Sequence, residues 1–344
     1  MLIVGAGGLG IPASVYLAAA GVGRIGIVDG DVVEKSNLHR QTIYSEADVG
    51  RPKALVAGER LRDVNPHIAV EPHEVRLTSA NAMGILANYD VVIDCTDNFP
   101  ARYLINDACV LLGKPDVYAS IFRFDGQASV FDSEKGPCYR CLFPAPPPPD
   151  SVQDCAVAGV LGVLPGIMGS IQAVEALKLM LGRGEPLLGR LLLFNATDMS
   201  FNELRFKKNQ GCPVCGKSPT IRSLIDYEAF CGLGRTLPTV SEITPLELKR
   251  LIDEKRTLTL LDVREPFEYQ LCRIEGSRLI PLGELRRRAG DLDKAADVVV
   301  YCHVGARSAR ATELLSSLGF AKVRNLKGGI RAWSQDVDPT VPIY

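Results

Sequence analysis

MLIVGAGGLG, residues 1–10, joins the apolar, β-prone Leu2, Ile3 and Val4 to the turn Gly5-Ala6-Gly7-Gly8-Leu9-Gly10. A helical pattern, Ile11 to Ala20, follows without a break. Strand, glycine turn and helix in that order predict a phosphate-binding start to an α/β sheet. Glycines admit close backbone approach, and the helix N-terminus presents unpaired N–H groups and a positive dipole end. Gly5, Gly7, Gly8 and Gly10 are the expected turn residues. A second strand, Arg24 to Val28, ends at Asp29, where a carboxylate suits ribose hydroxyls. On these residues alone NAD, FAD, another nucleotide or an empty tight turn all remain open.

The next stretch, DGDVVEKSNLHRQTIYSEADVGRPK, places Asn37, Arg40 and Lys53 close to the turn. An amide and two cations suit a polyphosphate better than a hydride carrier. Val91-Val92-Ile93 is a third strand, and Asp94-Cys95-Thr96-Asp97-Asn98 follows it. An acid at the carboxyl end of a strand, beside phosphates, suits Mg²⁺, so Asp97 is the candidate, with a helix N-cap as its plain alternative. His39 reads as a packing or surface residue. Gly126 to Phe131 and Leu191 to Phe194 are further strands, and the alternation predicts a mainly parallel sheet with helices on both faces.

Four of the ten cysteines form two hooks, Cys138-x-x-Cys141 and Cys212-x-x-Cys215, with 70 residues between them. Both sit in turn-rich contexts with no nearby histidine, which predicts a closed S₄ zinc site; a redox pair is the alternative. Cys155 follows the proline run Pro144 to Pro149. It reads either as a nucleophile near the nucleotide site or as a small buried hydrophobe. Cys95, Cys109, Cys231 and Cys272 read as packing residues.

A second αβ series starts near Ser241, with a helix at 245–252 and strands at 257–263 and 298–301. The last strand runs into Cys302-His303-Val304-Gly305-Ala306-Arg307-Ser308 and a helix to Leu318. A cysteine at such a turn faces backbone N–H groups and a helix dipole, which stabilise a thiolate or an anionic adduct. Phosphatases and sulfurtransferases both use this design. Four residues separate Cys302 from Arg307, one fewer than in tyrosine phosphatases, and the smaller loop suits a persulfide. Asp262 and Arg264 read as a supporting salt bridge and His303 as a loop-lining residue.

Length sets a prior of two domains for 344 residues. They are placed at 1–218 and 241–344, with a linker at 219–240. With 39 Lys+Arg against 40 Asp+Glu, charge gives no support to nucleic-acid or anionic-membrane binding. Ala156 to Val174 is apolar but rich in glycine, and reads as a turn leading into a core helix rather than a membrane span. The N-terminus has no signal-peptide pattern, so a cytoplasmic location is expected.

GAGGLG, VDGDVVEKSNLHRQ, DVGRPK and DCTDN resemble the adenylation domain of the MoeB/ThiF family, related to ubiquitin-activating enzymes, over about residues 1–216. LLDVREPFEY (260–269), YCHVGARSAR (301–310) and LKGGIRAW (326–333) resemble the rhodanese domain. Together they resemble the MoeZ-type adenylyltransferase/sulfurtransferases, the molybdopterin-synthase sulfurase family. The resemblance implies a Rossmann-like adenylation domain with a zinc knuckle, followed by a small α/β rhodanese domain. It implies that Mg-ATP adenylates the C-terminal glycine of a small ubiquitin-like sulfur carrier of the MoaD/ThiS kind, ending in Gly-Gly. Asp29 would hold the ribose, Asn37, Arg40 and Lys53 the phosphates, and Asp97 the Mg²⁺. Cys138, Cys141, Cys212 and Cys215 would hold the family's Zn²⁺. Cys302 would carry a persulfide, Arg307 would steady the anion, and Cys155 would join the carrier covalently. A homodimer is implied, with a cysteine desulfurase or thiosulfate as sulfur donor. The sulfur would serve molybdenum cofactor, thiamine, cysteine or tRNA thiolation.

Family members usually carry a segment before the first strand, with an arginine that reaches the partner subunit's ATP. This sequence starts within the strand. Either the start is truncated or misassigned, or this copy lacks that arginine, whose loss would slow adenylation by orders of magnitude; a non-catalytic carrier-binding scaffold with an independent sulfurtransferase is the alternative. Two further rivals are a nicotinamide-dependent oxidoreductase, which needs no Asn37/Arg40/Lys53 cluster, and a cysteine-based phosphatase.

Overall fold

The computed structural model describes residues 1–147, 159–232 and 241–342. The chain divides into two compact units, Met1–Gly234 and Arg235–Tyr344.

The first unit is built on eight strands. They are β1 (Leu2–Val4), β2 (Arg24–Val28), β3 (Ala69–His73), β4 (Val92–Asp94), β5 (Asp116–Phe122), β6 (Asp125–Phe131), β7 (Arg190–Asn195) and β8 (Ser200–Arg205), in the spatial order 3-2-1-4-5-6-7-8. Pairing is parallel from β3 through β5 and antiparallel from β5 to β8. The expected mainly parallel sheet thus ends in an antiparallel meander. Its hairpin turn at Arg123 and Phe124 is too short for a crossover helix. Strand side chains alternate between faces. Ile3 packs on one face with α1 (Gly10–Ala19), α2 (Lys53–Val64) and α6 (Leu164–Leu181). Leu2 and Val4 pack on the other with α3 (Ala82–Leu86), α4 (Phe99–Leu112), α5 (Tyr139–Leu142) and α7 (Tyr227–Phe230).

Helix α6 is long and apolar enough to cross a membrane. It lies against α1, β5 and β6, with Leu164, Met168, Gln172, Ala173 and Ala176 buried, as the expected core helix. The expected linker at 219–240 is corrected over its first part. Tyr227 and Cys231 belong to the second face's core, with Leu224, Ile225 and Phe230 packed on it. A segment poor in periodicity gave no sign of this, because its apolar residues follow the shape of α4 rather than a repeat.

The second unit carries β9 (Glu242–Ile243), β10 (Thr259–Asp262), β11 (Arg278–Leu279), β12 (Asp297–Tyr301) and β13 (Lys322–Leu326). They form a parallel sheet in the order 11-10-12-13-9. Its helices are α8 (Pro245–Asp253), α9 (Pro266–Leu271), α10 (Leu282–Arg288), α11 (Ala306–Ser317) and α12 (Gly329–Asp336). Two apolar cores cover the two faces, as a parallel sheet requires.

Candidate active sites

The glycine turn leaves β1 at the centre of the first sheet. Gly5 has φ +102°, and a Cβ there would stand 2.8 Å from the Cys95 carbonyl oxygen. A Cβ on Gly10 would fall 1.8 Å from the Gly5 carbonyl oxygen. These two glycines therefore make the turn itself possible. At Gly7 the nearest atom to a Cβ is the Gln41 amide nitrogen at 3.6 Å, so its missing side chain opens space. Asp29 accepts hydrogen bonds from the Ala6 N–H and the Asp31 N–H, both at 2.8 Å. Burial raises its pKa.

A cleft of about 1410 Å³ opens above this turn, larger than the ~300–1,000 Å³ of a usual small-ligand pocket. Gly5, Gly7, Gly8, Asp29, Asn37, Arg40, Lys53 and Asp97 all line it; Gly10 does not, and opens α1 instead. Lys53 opens α2 and is buried, its ammonium 3.3 Å from Asp31 Oδ2. Arg40 donates to Asn37 Oδ1 at 2.9 Å, and the Asn37 amide donates to Glu34 at 3.1 Å. His39 is exposed at the rim. Asp97 is also exposed. The N-cap of α4 is its neighbour Asn98, which accepts from the Ala101 N–H at 3.0 Å, so the capping alternative for Asp97 falls.

Beneath the cleft lie two buried acids. Asp94 accepts from the Thr96 hydroxyl at 2.6 Å and its N–H at 2.9 Å. Burial pushes its carboxyl up, against the pull of the nearby Arg102 charge. Burial, and then Asp94, push the Asp116 carboxyl well up, and Asp116 Oδ1 has no hydrogen-bond partner among the described residues. Gln172 of α6 donates to the Asp94 and Val117 carbonyls at 2.6 and 2.9 Å. Cys95 donates to the Gln172 Oε1 at 3.4 Å.

The two cysteine hooks meet. All four sulfurs lie within 4.8 Å of one another, with separations of 3.6 Å (Cys138–Cys212), 3.4 Å (Cys141–Cys215) and 3.9 Å (Cys138–Cys141). Tetrahedral Zn–S bonds of about 2.3 Å place sulfurs about 3.8 Å apart, so this set fits zinc.

In the second unit Cys302 begins the turn out of β12 and is 1% exposed. The Gly305 N–H donates to its Sγ at 3.1 Å and the Ser308 hydroxyl stands 3.4 Å away. The loop is fixed from outside. Ile330 and Arg331 N–H groups of α12 donate to the Cys302 and His303 carbonyls at 2.8 and 3.1 Å. A Cβ on Gly329 would be 2.4 Å from the Cys302 oxygen, which explains the Gly328-Gly329 pair. Asp262 and Arg264 form the expected buried bridge at 2.6 Å, and burial lowers the His303 pKa. Arg307, expected to steady a sulfur-borne anion, meets the buried Glu268 through two contacts of 2.7 Å. Its charge is thus shared with a carboxylate that the sequence reading missed. Cys155 and Pro148–Pro149 lie outside the described residues.

Comparison with known proteins decides the family. Residues 1–214 match the ThiF family and residues 244–336 the rhodanese-like domain. The chain belongs to the ThiF family. It is 60% identical over 238 residues to a sulfur carrier protein adenylyltransferase of Thermus thermophilus, covering 68% of this chain and 88% of that protein. It is 45% identical over its whole length to a probable adenylyltransferase/sulfurtransferase, MoeZ, of Mycobacterium tuberculosis, covering 89% of that protein. This two-domain ThiF protein is therefore an enzyme of the adenylyltransferase and sulfurtransferase class. Among solved structures it resembles E. coli MccB crystallised with ATP, with a TM-score of 0.56 and 23% identity. That match covers 62% of this chain and 66% of MccB and shows the shared fold.

The ThiF cleft also contains residues that motif reading passed over. Arg76 and Ser79 follow β3, and the segment Leu224 to Glu228 faces them. Arg76 pairs with Glu228 at 2.8 Å, and the Ser79 hydroxyl donates to the Ile225 carbonyl at 2.6 Å. Nothing local marks these residues; tertiary folding alone brings them to the cleft.

Proposed function

We propose that the chain uses ATP to adenylate the C-terminal glycine of a small ubiquitin-like sulfur carrier and then sulfurates it. Adenylation falls to residues 1–218 and sulfur transfer to residues 241–344. The observation that carries this reading is the convergence on one cleft of the glycine turn, Asp29, Asn37, Arg40, Lys53 and Asp97. A backbone cradle, two cations and two outlying acids match a nucleoside triphosphate: ribose at Asp29, phosphates at Asn37, Arg40 and Lys53. Asp97 would hold Mg²⁺, which neutralises phosphate charge when bound. The four hook cysteines would hold Zn²⁺ as a structural ion, since no position is left open for substrate.

The carrier carboxylate attacks the α-phosphorus, the bond to the bridging oxygen breaks, and pyrophosphate leaves. Positioning and cationic stabilisation carry such a step. The outer sulfur of a Cys302 persulfide then attacks the acyl carbon and AMP leaves, giving an acyl disulfide. A second thiolate, Cys155 in this reading, attacks Cys302 Sγ. A Cys155–Cys302 disulfide forms, the carrier leaves as its thiocarboxylate, and an external dithiol reduces the disulfide. The donor that recharges Cys302 is a cysteine desulfurase or thiosulfate. The enzyme works as a cytoplasmic homodimer.

ATP–pyrophosphate exchange, run with a panel of Gly-Gly-ended carriers, tests the first half. Exchange with one carrier, lost in Asp97→Ala, is the expected result. That carrier assigns the pathway among molybdenum cofactor, thiamine, cysteine and tRNA thiolation. Absence of exchange with every carrier overturns adenylation.

A further inference from the structure

The cysteine hook and the nucleotide cleft are joined by a buried polar chain. Arg140 lies inside the first hook, between Cys138 and Cys141, and its side chain is 1% exposed. Its guanidinium grips Asp107 of α4 with two bonds of 2.8 Å. Asp107 Oδ2 also accepts the Tyr227 hydroxyl at 2.8 Å. The Arg140 guanidinium lies over the rings of Tyr103 and Phe230, at 4.7 and 4.5 Å. A second strut runs beside it: the Tyr139 N–H donates to Asn106 at 2.8 Å, and Asn106 donates to Asp107 at 2.9 Å.

Both elements held this way reach the cleft. Helix α4 begins at the Asp97-Asn98 corner, and nine residues of helix, about 14 Å, separate that corner from Asp107. Tyr227 lies in the segment that faces Arg76 and Ser79 across the cleft. A buried ion pair is a poor source of net stability, but leaving one partner unpaired is strongly unfavourable, so the pair fixes geometry. Its geometry depends on where the hook backbone holds Arg140, and four sulfurs on one ion would set that backbone.

We propose that Asp107 is a positioning residue: through Arg140 and Tyr227 it makes the order of the nucleotide-cleft wall depend on the metal held by the four cysteines. The inference rests on the ATP reading of the cleft for its functional consequence, but not for its structural one. Tyr227→Phe removes one hydrogen bond and leaves the ring in place, so it breaks the chain at its last link.

The test compares the full chain with and without bound zinc, in wild type and in Tyr227→Phe. Three readouts are taken: zinc content, hydrogen exchange of residues 226–232, and equilibrium binding of Mg-ATP. Wild type is expected to lose exchange protection at 226–232 when zinc is removed. Tyr227→Phe should keep its zinc, yet bind ATP more weakly, on the order of fivefold. Its KM for ATP in pyrophosphate exchange should rise with little change in kcat. Removing zinc should weaken ATP binding in wild type and add little in Tyr227→Phe, because both changes break one chain. Unaltered protection at 226–232 after zinc removal overturns the proposal whether or not ATP binds. So do unchanged ATP affinity in Tyr227→Phe and strictly additive effects. A wild-type chain that binds no ATP, but loses protection when zinc is removed, overturns the ATP reading instead and leaves the relay standing.

Discussion

Two loops in this chain share one design and differ in what they enclose. Gly5 to Leu9 joins β1 to α1, and Cys302 to Gly305 joins β12 to α11. Each leaves the carboxyl end of a central parallel strand and enters a helix, with a glycine in the left-handed region, Gly5 at φ +102° and Gly305 at φ +98°. The first loop faces an open cleft lined by side chains from elsewhere. The second closes on one sulfur atom, with an N–H at 3.1 Å and a hydroxyl at 3.4 Å. In the proposed reading the same dipole and backbone donors would serve a large polyanion in one unit and a single sulfur in the other. Strand-to-helix geometry makes the anion site, and the surrounding side chains set its size. The floors differ too. Beneath the second loop the acids Asp262 and Glu268 have guanidinium partners. Beneath the first, one Asp116 oxygen has no hydrogen-bond partner among the described residues.

The contrast can be broken by removing the enclosed atom. Cys302→Ala should abolish sulfur transfer and leave ATP–pyrophosphate exchange at its wild-type rate. Loss of both activities would mean that the loops do not act separately. Next in size is Asp262→Ala. It removes the carboxylate from Arg264, whose side chain has zero exposure, and should cost the second unit about 3–5 kcal/mol. Thermal unfolding should show an early transition assignable to that unit by hydrogen exchange. A loss below 1 kcal/mol would place this bridge with surface pairs.

Within the first loop, two alanines separate turn-making from ligand-admitting glycines. Gly10→Ala forces a Cβ onto the Gly5 oxygen and should destabilise by about 1–3 kcal/mol or more. Gly7→Ala has room in the free protein, so its melting temperature should stay near wild type while ATP binding falls. Equal melting points for both variants would contradict this division.

The smallest effect concerns the floor. The Asp116 carboxyl is raised in the folded state, by burial first and by Asp94 second. Its unfolded value is about 3.9. The stability it contributes is therefore whole below that pH and is lost as pH climbs from there toward the folded pKa. Asp116→Asn should melt close to wild type near pH 4 and increasingly above it as the pH rises from there. A gap that narrows with rising pH would show Asp116 ionised in the fold.

Much of the candidate chemistry was legible because its motifs are local. GAGGLG and the Cys302 loop each sit between a strand and a helix that follow one another in sequence, although α12 fixes the Cys302 loop from a distance. The two hooks were readable because metal-ligand spacing is stereotyped, although their meeting at 3.4–3.9 Å is a tertiary fact. The antiparallel end of the sheet was less legible. β8 is exposed nearly throughout, so it shows no buried alternation to read. Nothing local marks Glu268, and only folding sets it against Arg307.

The string of residues alone therefore carries the sites' chemistry: which atoms bear charge, which glycines permit a turn, which cysteines can share an ion. Their enclosure depends on contacts across long stretches of chain. Leu224 to Glu228 join the cleft wall more than two hundred residues after the glycine turn. Tyr227 is held there by a carboxylate 120 positions earlier in the chain. Periodicity and motif spacing report on neighbours along the chain. The packing of α4 against the cysteine hook brings distant residues together, and no local pattern encodes that distance.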